Sequence, residues 1–321
     1  MFKKPLILFT LIGIALLFSS WGFFAHQKIN HIAVFTLPHQ LIKFYKNSIN
    51  YLTDHAVDPD KRRYIDTLEA PRHYLDADHY GNSPFDSIPQ NWNDAVKKYS
   101  ADTLKEHGIL PWQIARTYYS LTKAFKERDS LKILKYSADL GHYIADAHVP
   151  LHTTQNHNGQ LTNQVGIHAF WESRLPELFA SDYDLFTGKA VYVEDPLKEA
   201  WKIVRHTFSL KDSVLLIEAR LFKKFPTDRK YSYYNNKGKA VKQYSLEYSE
   251  EYHTLLNGMV ERQMRASILA VGSYWYSAWI DAGQPDLNHF KATSISAVEK
   301  DSIERAEKVY INAKPIGRPE N

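Results

Sequence analysis

Apolar residues recur at three- and four-residue steps through most of the chain, which is the period of helices rather than strands. Ile29–Phe35 and Leu41–Leu52 carry such stripes, with Pro38 breaking one from the other. Further stripes run from about Trp112 to Phe125 and from about Leu131 to Ala147. The stretch "MVERQMRASILAVGSYWYSAWIDAG" carries a long one that stops at Gly283 and Pro285. Strict alternation is scarce. The pattern predicts an all-α fold, a multi-helix bundle in which metal-binding side chains project inward from facing helices.

Two stretches read as loops, "DADHYGNSPFDSIPQN" from Asp76 and "FPTDRKYSYYNNKGKAVKQYSLEY" from Phe225. The second interleaves Lys and Arg with Tyr. It reads as a solvated insertion with half-buried tyrosines, or else as a surface that stacks bases and steers phosphates. Past Pro285 the chain turns polar, so residues 286–321 are expected as a loosely held tail.

The first twenty residues break the helical pattern. Lys3 and Lys4 precede an apolar run from Pro5 to Phe18, and Ser19 and Ser20 follow, the layout of a secretory signal peptide over residues 1–20. The alternative is an uncleaved anchor, although the run is short against the ~20 residues that span a bilayer. Cleavage after Ser20 would send a domain over residues 21–285, with its tail, to the periplasm or outside.

Composition narrows the function. At 321 residues and 44% apolar the chain can bury a sizeable core. Removing residues 1–20 takes two of the 40 Lys and Arg and none of the 36 Asp and Glu, leaving 38 against 36. A near-neutral chain has no global attraction for nucleic acid or membranes, so any such attraction must be local. There is no cysteine, so an exported chain of this kind would fold without disulfides, and bound metal is an obvious substitute staple.

Metal-capable side chains concentrate in "GHYIADAHVPLH", residues 141–152. His142 and Asp146 are four apart and share one helix face, Pro150 ends that helix, and His152 follows in the turn. His148 points away and reads as a supporting or surface residue. His168 and Glu172 in "GIHAFWESRL" repeat the four-residue spacing beyond a loop rich in Asn, Gln, Thr and Gly, in which His157 reads as solvent-facing. Earlier, His73 in "APRHYLDAD" and either Asp58 or Asp60 in "AVDPD" add a nitrogen and a carboxylate. If Trp21 becomes the amino terminus, its free amine and carbonyl oxygen can chelate together with His26. Imidazole and carboxylate without thiols suit zinc and other first-row metals, and this many donors call for two or three ions.

In these segments, and in the terminal stretch "RASILAVGSYW", the chain resembles the zinc-dependent phospholipase C and S1/P1 nuclease superfamily, exported α-helical phosphodiesterases with a trinuclear zinc site. The resemblance implies that Trp21, His26 and Asp146 hold one zinc, and that His73, His142, Asp146 and the early aspartate hold a second. It implies a third, set apart, on His152, His168 and Glu172. The family's Ala-x-x-x-Asp run aligns Asp60, whereas the spacing to His73 fits Asp58 better. Arg63 falls where a phosphate-contacting arginine often sits. Asp146 and Arg63 are thus the expected catalytic residues. No obligate protein partner is implied.

The substrate is divided within that family. The five-residue step from Trp21 to His26, and Tyr74 beside His73 with Asp76 placed for a base edge, look like the nuclease branch. These features imply a single-strand nuclease or 3′-nucleotidase with single-stranded nucleic acid or nucleotides as substrate. Glu172, where nucleases usually carry aspartate, looks like the phospholipase C branch and makes a phospholipid the alternative. A third reading is a non-catalytic exported protein stapled by zinc, in which every ion would be closed by four protein ligands.

Overall fold

A computed structural model describes residues 23–236, 239–287, 297–310, 315, 316 and 318. The expected signal peptide and Trp21 lie outside the described residues. The described residues are 67% helix and 4% strand, so the all-α expectation holds with one hairpin added. Among the described residues, no helix is long and apolar enough to cross a membrane.

At the centre stand two antiparallel helices, Leu110–Glu127 and Ser130–Asp146, joined by a tight turn. Arg128 takes the left-handed conformation that ends the first, and the Asp129 side chain accepts from Lys132 N at 3.1 Å to start the second. The Met259–Asp281 helix lies across both and against the amino-terminal helix Phe23–Ala33. Its Trp275 is fully buried, stacks on Tyr45 at 5.0 Å between ring centres, and donates Nε1–H to Ser137 O at 2.9 Å.

One glycine sets the spacing that matters most. A Cβ on Gly141 would fall 2.0 Å from Asn30 Oδ1, so glycine leaves the space that the Asn30 amide occupies between the Phe23–Ala33 and Ser130–Asp146 helices. Asn30, fully buried, uses the gap to donate to Ala138 O at 3.1 Å. One turn away the same contact brings the His26 and His142 rings into a stack 4.1 Å apart.

The Phe225–Tyr248 stretch, expected as a loop, contains an antiparallel hairpin, Tyr231–Asn236 paired with Lys239–Tyr244. Its tyrosines favour strand, but two short strands give too little alternation to stand out in the sequence. Lys230 anchors its base: the ammonium is buried 2.9 Å from Glu218 Oε1, with the Phe222 ring 4.0 Å and the Tyr248 ring 5.0 Å away. Beyond Pro285, where a loose tail is expected, the Ala297–Tyr310 helix packs back on the short Asp58–Arg62 helix. Ala306 is buried there, and the Tyr310 ring stacks on Phe23 at 5.4 Å and meets Tyr64 edge-on at 5.0 Å.

Candidate metal centre

The Ser130–Asp146 helix supplies His142 and Asp146 from one face of its last turn, as the four-residue spacing requires. Pro150 opens a short turn, Pro150–Thr153, that delivers His152 to the same end. His168 lies in the helical turn Ile167–Ala169, which runs into a π-helical turn, Phe170–Arg174, carrying Glu172. Such a turn re-aims the side chains of a helix and occurs often at functional sites. Phe170 is clamped against Tyr244 of the hairpin, with ring centres 3.8 Å apart. The insertion thus buttresses the turn that carries Glu172.

Among the described residues, three donor sets converge: His26, His142 and Asp146; Asp60, His73 and His142; and His152, His168 and Glu172. Asp146 divides its oxygens, with Oδ1 3.5 Å from His26 Nε2 and Oδ2 3.0 Å from His73 Nδ1 and 3.2 Å from His142 Nε2. Asp60 Oδ1 is 3.7 Å from both His73 Nδ1 and His142 Nε2. Glu172 also divides itself, Oε2 lying 2.7 Å from His168 Nε2 and 3.2 Å from His152 Nε2 while Oε1 is 3.3 Å from His26 Nε2. That second link, joining the His26 set to the outer one, is not part of the sequence expectation.

The outward nitrogens are committed elsewhere. His142 Nδ1 donates to Ala56 O at 2.9 Å, His152 Nδ1 to His73 O at 2.5 Å, and His168 Nδ1 to His157 O at 3.2 Å. A neutral imidazole that donates through Nδ1 presents a lone pair at Nε2. His152 Nε2 and His168 Nε2 face each other across 3.1 Å beside the Glu172 carboxylate, and where neither carries a proton their lone pairs oppose. Such an arrangement is repulsive until a cation enters it. Imidazole nitrogens with their backs held by carbonyls, beside carboxylates, fit a divalent metal.

Electrostatics point the same way. Burial would depress the His73 imidazole, but the Asp146 and Glu69 carboxylates raise it to about 9. His142 rises similarly against its own burial, through Asp146 and Asp60. Burial pushes the Asp146 and Glu172 carboxyls up, yet His142 and His152 hold Asp146, and His152 holds Glu172, well below the usual range. Here protons serve as the countercharge that a metal would provide.

Other sequence expectations fall outside the cluster. Asp58 is turned away, bonded to His55 Nδ1 at 2.6 Å and 3.9 Å from Lys61 Nζ, so the Ala-x-x-x-Asp alignment rather than the spacing argument picks the donor that stands beside His73. His148 is buried with Nδ1 donating to Ile144 O, and burial pushes it down to about 4. His157 is half-buried and contributes its carbonyl rather than its ring. Arg63, Tyr74 and Asp76, expected to face the substrate, are 5%, 4% and 6% exposed. Arg63 donates to Arg318 O at 2.6 Å, Asp76 is ion-paired with Arg318, and the same guanidinium lies 3.9 Å over the Tyr74 ring.

One functional residue escapes the sequence reading. Glu69 is fully buried, with Oε1 3.6 Å from His73 Nε2, the nitrogen opposite the metal side. It accepts from Arg62 Nε at 3.2 Å and also from Arg72 and the Tyr143 hydroxyl, and Arg62 continues to Asp139 at 3.0 Å. Burial would raise the Glu69 carboxyl, but Arg62 and His73 hold it well below its ordinary value. A signal was present: Glu69 and His73 have the four-residue spacing of the other two pairs, hidden by the intervening Pro71.

A scan against protein-family models and a search of curated proteins found no match.

Proposed function

We propose that the chain is an exported zinc-dependent phosphoesterase that hydrolyses phosphodiester bonds, acting on single-stranded nucleic acid or 3′-nucleotides. The observation that carries the reading is the convergence of His152 Nε2, His168 Nε2 and the Glu172 carboxylate next to a second cluster gathered on Asp146. Three thiol-free donor sets this close together suit zinc ions side by side, and the expected signal peptide over residues 1–20 would export the chain.

When bound, zinc ions would supply a low-pKa water and positive charge for a phosphate ester. His26 and Asp146, with Trp21 from the new amino terminus, would hold one ion; Asp60, His73, His142 and Asp146 a second; His152, His168 and Glu172 a third. Asp146 serves two sets, so it fixes their relative position. Once Arg318 is displaced, Arg63 would bring a guanidinium to a phosphate oxygen, Tyr74 a ring to a base and Asp76 an acceptor to its edge.

Glu172, as the carboxylate of the outer set, favours a phospholipase C as the second reading. Metal analysis of the processed protein, with parallel assays on single-stranded DNA, RNA, 3′-nucleotides and phosphatidylcholine, tests both. About three zinc ions and turnover of nucleic acid is the expected result. Lipid-only turnover would reverse the order, and protein that stays metal-free in excess zinc would end both readings.

A further inference from the structure

The chain carries its own occupant for the Tyr74–Asp76 subsite. Arg318 lays its guanidinium 3.9 Å over the Tyr74 ring and pairs its Nη1 with Asp76 Oδ1. Two bonds to its segment's main chain hold it there, from the Arg63 side chain, Nη2 to Arg318 O at 2.6 Å, and from Ile316 N to Arg63 O at 2.8 Å. The preceding helix, Ala297–Tyr310, is fixed on the same side by Lys61 with Glu307 at 3.1 Å and by Tyr310 between Phe23 and Tyr64. All three residues assigned above to phosphate and base are therefore in contact with Arg318.

The fit is incomplete, which makes it displaceable. Among the described residues, Arg318 Nε and Nη2 are buried with no hydrogen-bond partner, and Asp76 Oδ2 has His107 Nδ1 at 3.9 Å. Unmatched buried donors are costly. A planar group with two parallel N–H donors would use both Asp76 oxygens while stacking on Tyr74. Among the nucleobases, guanine has that edge, in its N1–H and N2–H groups, and it resembles the guanidinium fork. Beside the ring a cavity of about 460 Å³, lined by Arg72, Trp92, Lys105, Arg116 and Arg318 among others, gives room for the rest of a nucleotide.

We propose that Arg318 is an internal competitor for the base subsite, to be displaced most readily by guanine; the inference rests on the nuclease reading above. Kinetics of the processed zinc-loaded chain, its carboxy-terminal segment intact, on a single-stranded oligonucleotide, and calorimetric binding of guanosine and cytidine monophosphates to the metal-free chain, test it in Arg318→Ala and Arg318→Lys. In Arg318→Ala, KM falls roughly 3- to 10-fold, the span of a cation–π contact with an ion pair. Guanosine monophosphate binds more tightly by a similar factor, cytidine monophosphate gains less, and Arg318→Lys, which keeps the charge but not the plane, lies between. Unchanged or higher KM together with unchanged nucleotide affinity would overturn the competitor. A chain that cleaves no phosphodiester, yet gains nucleotide affinity in Arg318→Ala, would sink the phosphoesterase reading and leave the competitor standing.

Discussion

Glu69 and His73 meet through the imidazole edge turned away from the metal cluster, Oε1 to Nε2 at 3.6 Å, with Arg62 and Arg72 closing over the carboxylate. A carboxylate behind a ligating histidine orients the ring and raises its basicity, and losing one weakens metal affinity by about 10- to 100-fold. Glu69→Gln should therefore lower zinc affinity by that range in a chelator competition. It also leaves two arginines beside a neutral amide, so thermal unfolding at saturating zinc should separately show a loss on the order of 3 kcal/mol. Wild-type zinc affinity in the variant would remove Glu69 from the metal site.

Asp146 divides its oxygens between two donor sets, so its removal should cost more than one ion. Asp146→Asn is expected to lose two zinc ions per chain by elemental analysis, with activity down by at least about 100-fold. Asp58→Asn, which touches only His55 and Lys61, should keep full zinc content.

In the metal-free chain the His73 imidazole, near 6.5 when unfolded, is raised to about 9. A raised base binds its proton more tightly in the fold than in the unfolded chain. The proton's contribution is therefore complete below about pH 6.5 and is lost as pH climbs to about 9, on the order of 3 kcal/mol. Denaturant midpoints of the apo protein should fall across that window. Added zinc should flatten the curve, because the metal replaces the proton.

Gly141→Ala would drive a methyl into Asn30 Oδ1 and push the buried amide off Ala138 O, one turn from His26. A cost of about 1–3 kcal/mol is expected from overpacking. If His26 is a ligand, zinc content should fall as well.

The helices around the candidate site could be read in advance because their apolar stripes are long, and Leu110–Glu127 and Ser130–Asp146 match the periodicity to within a few residues, whereas Pro196–Phe208, Lys211–Lys224 and Ala297–Tyr310 were not read. The clusters were legible for the same reason, since His142 with Asp146 and His168 with Glu172 each announce a shared face. What stayed hidden depends on contacts between distant segments. Lys230 looked solvated because Glu218 and the rings that bury it become neighbours only after folding. Arg318 looked like tail because nothing in the sequence links it to Tyr74 and Asp76. Choosing between Asp58 and Asp60 needed the turn geometry, as either falls within reach by spacing alone.

The Phe23–Tyr310 stack brings the first described helix and the last one together next to the Asp58–Arg62 helix, where Asp60 resides. An oligohistidine segment joined directly to Phe23 or Tyr310 would start near the donors of the candidate metal centre, and its histidines would act at the high effective concentration of a tethered chelator. Occupancy measured on oligohistidine-tagged material would report the tag as much as the protein, so the fusion should be removed before metals are counted.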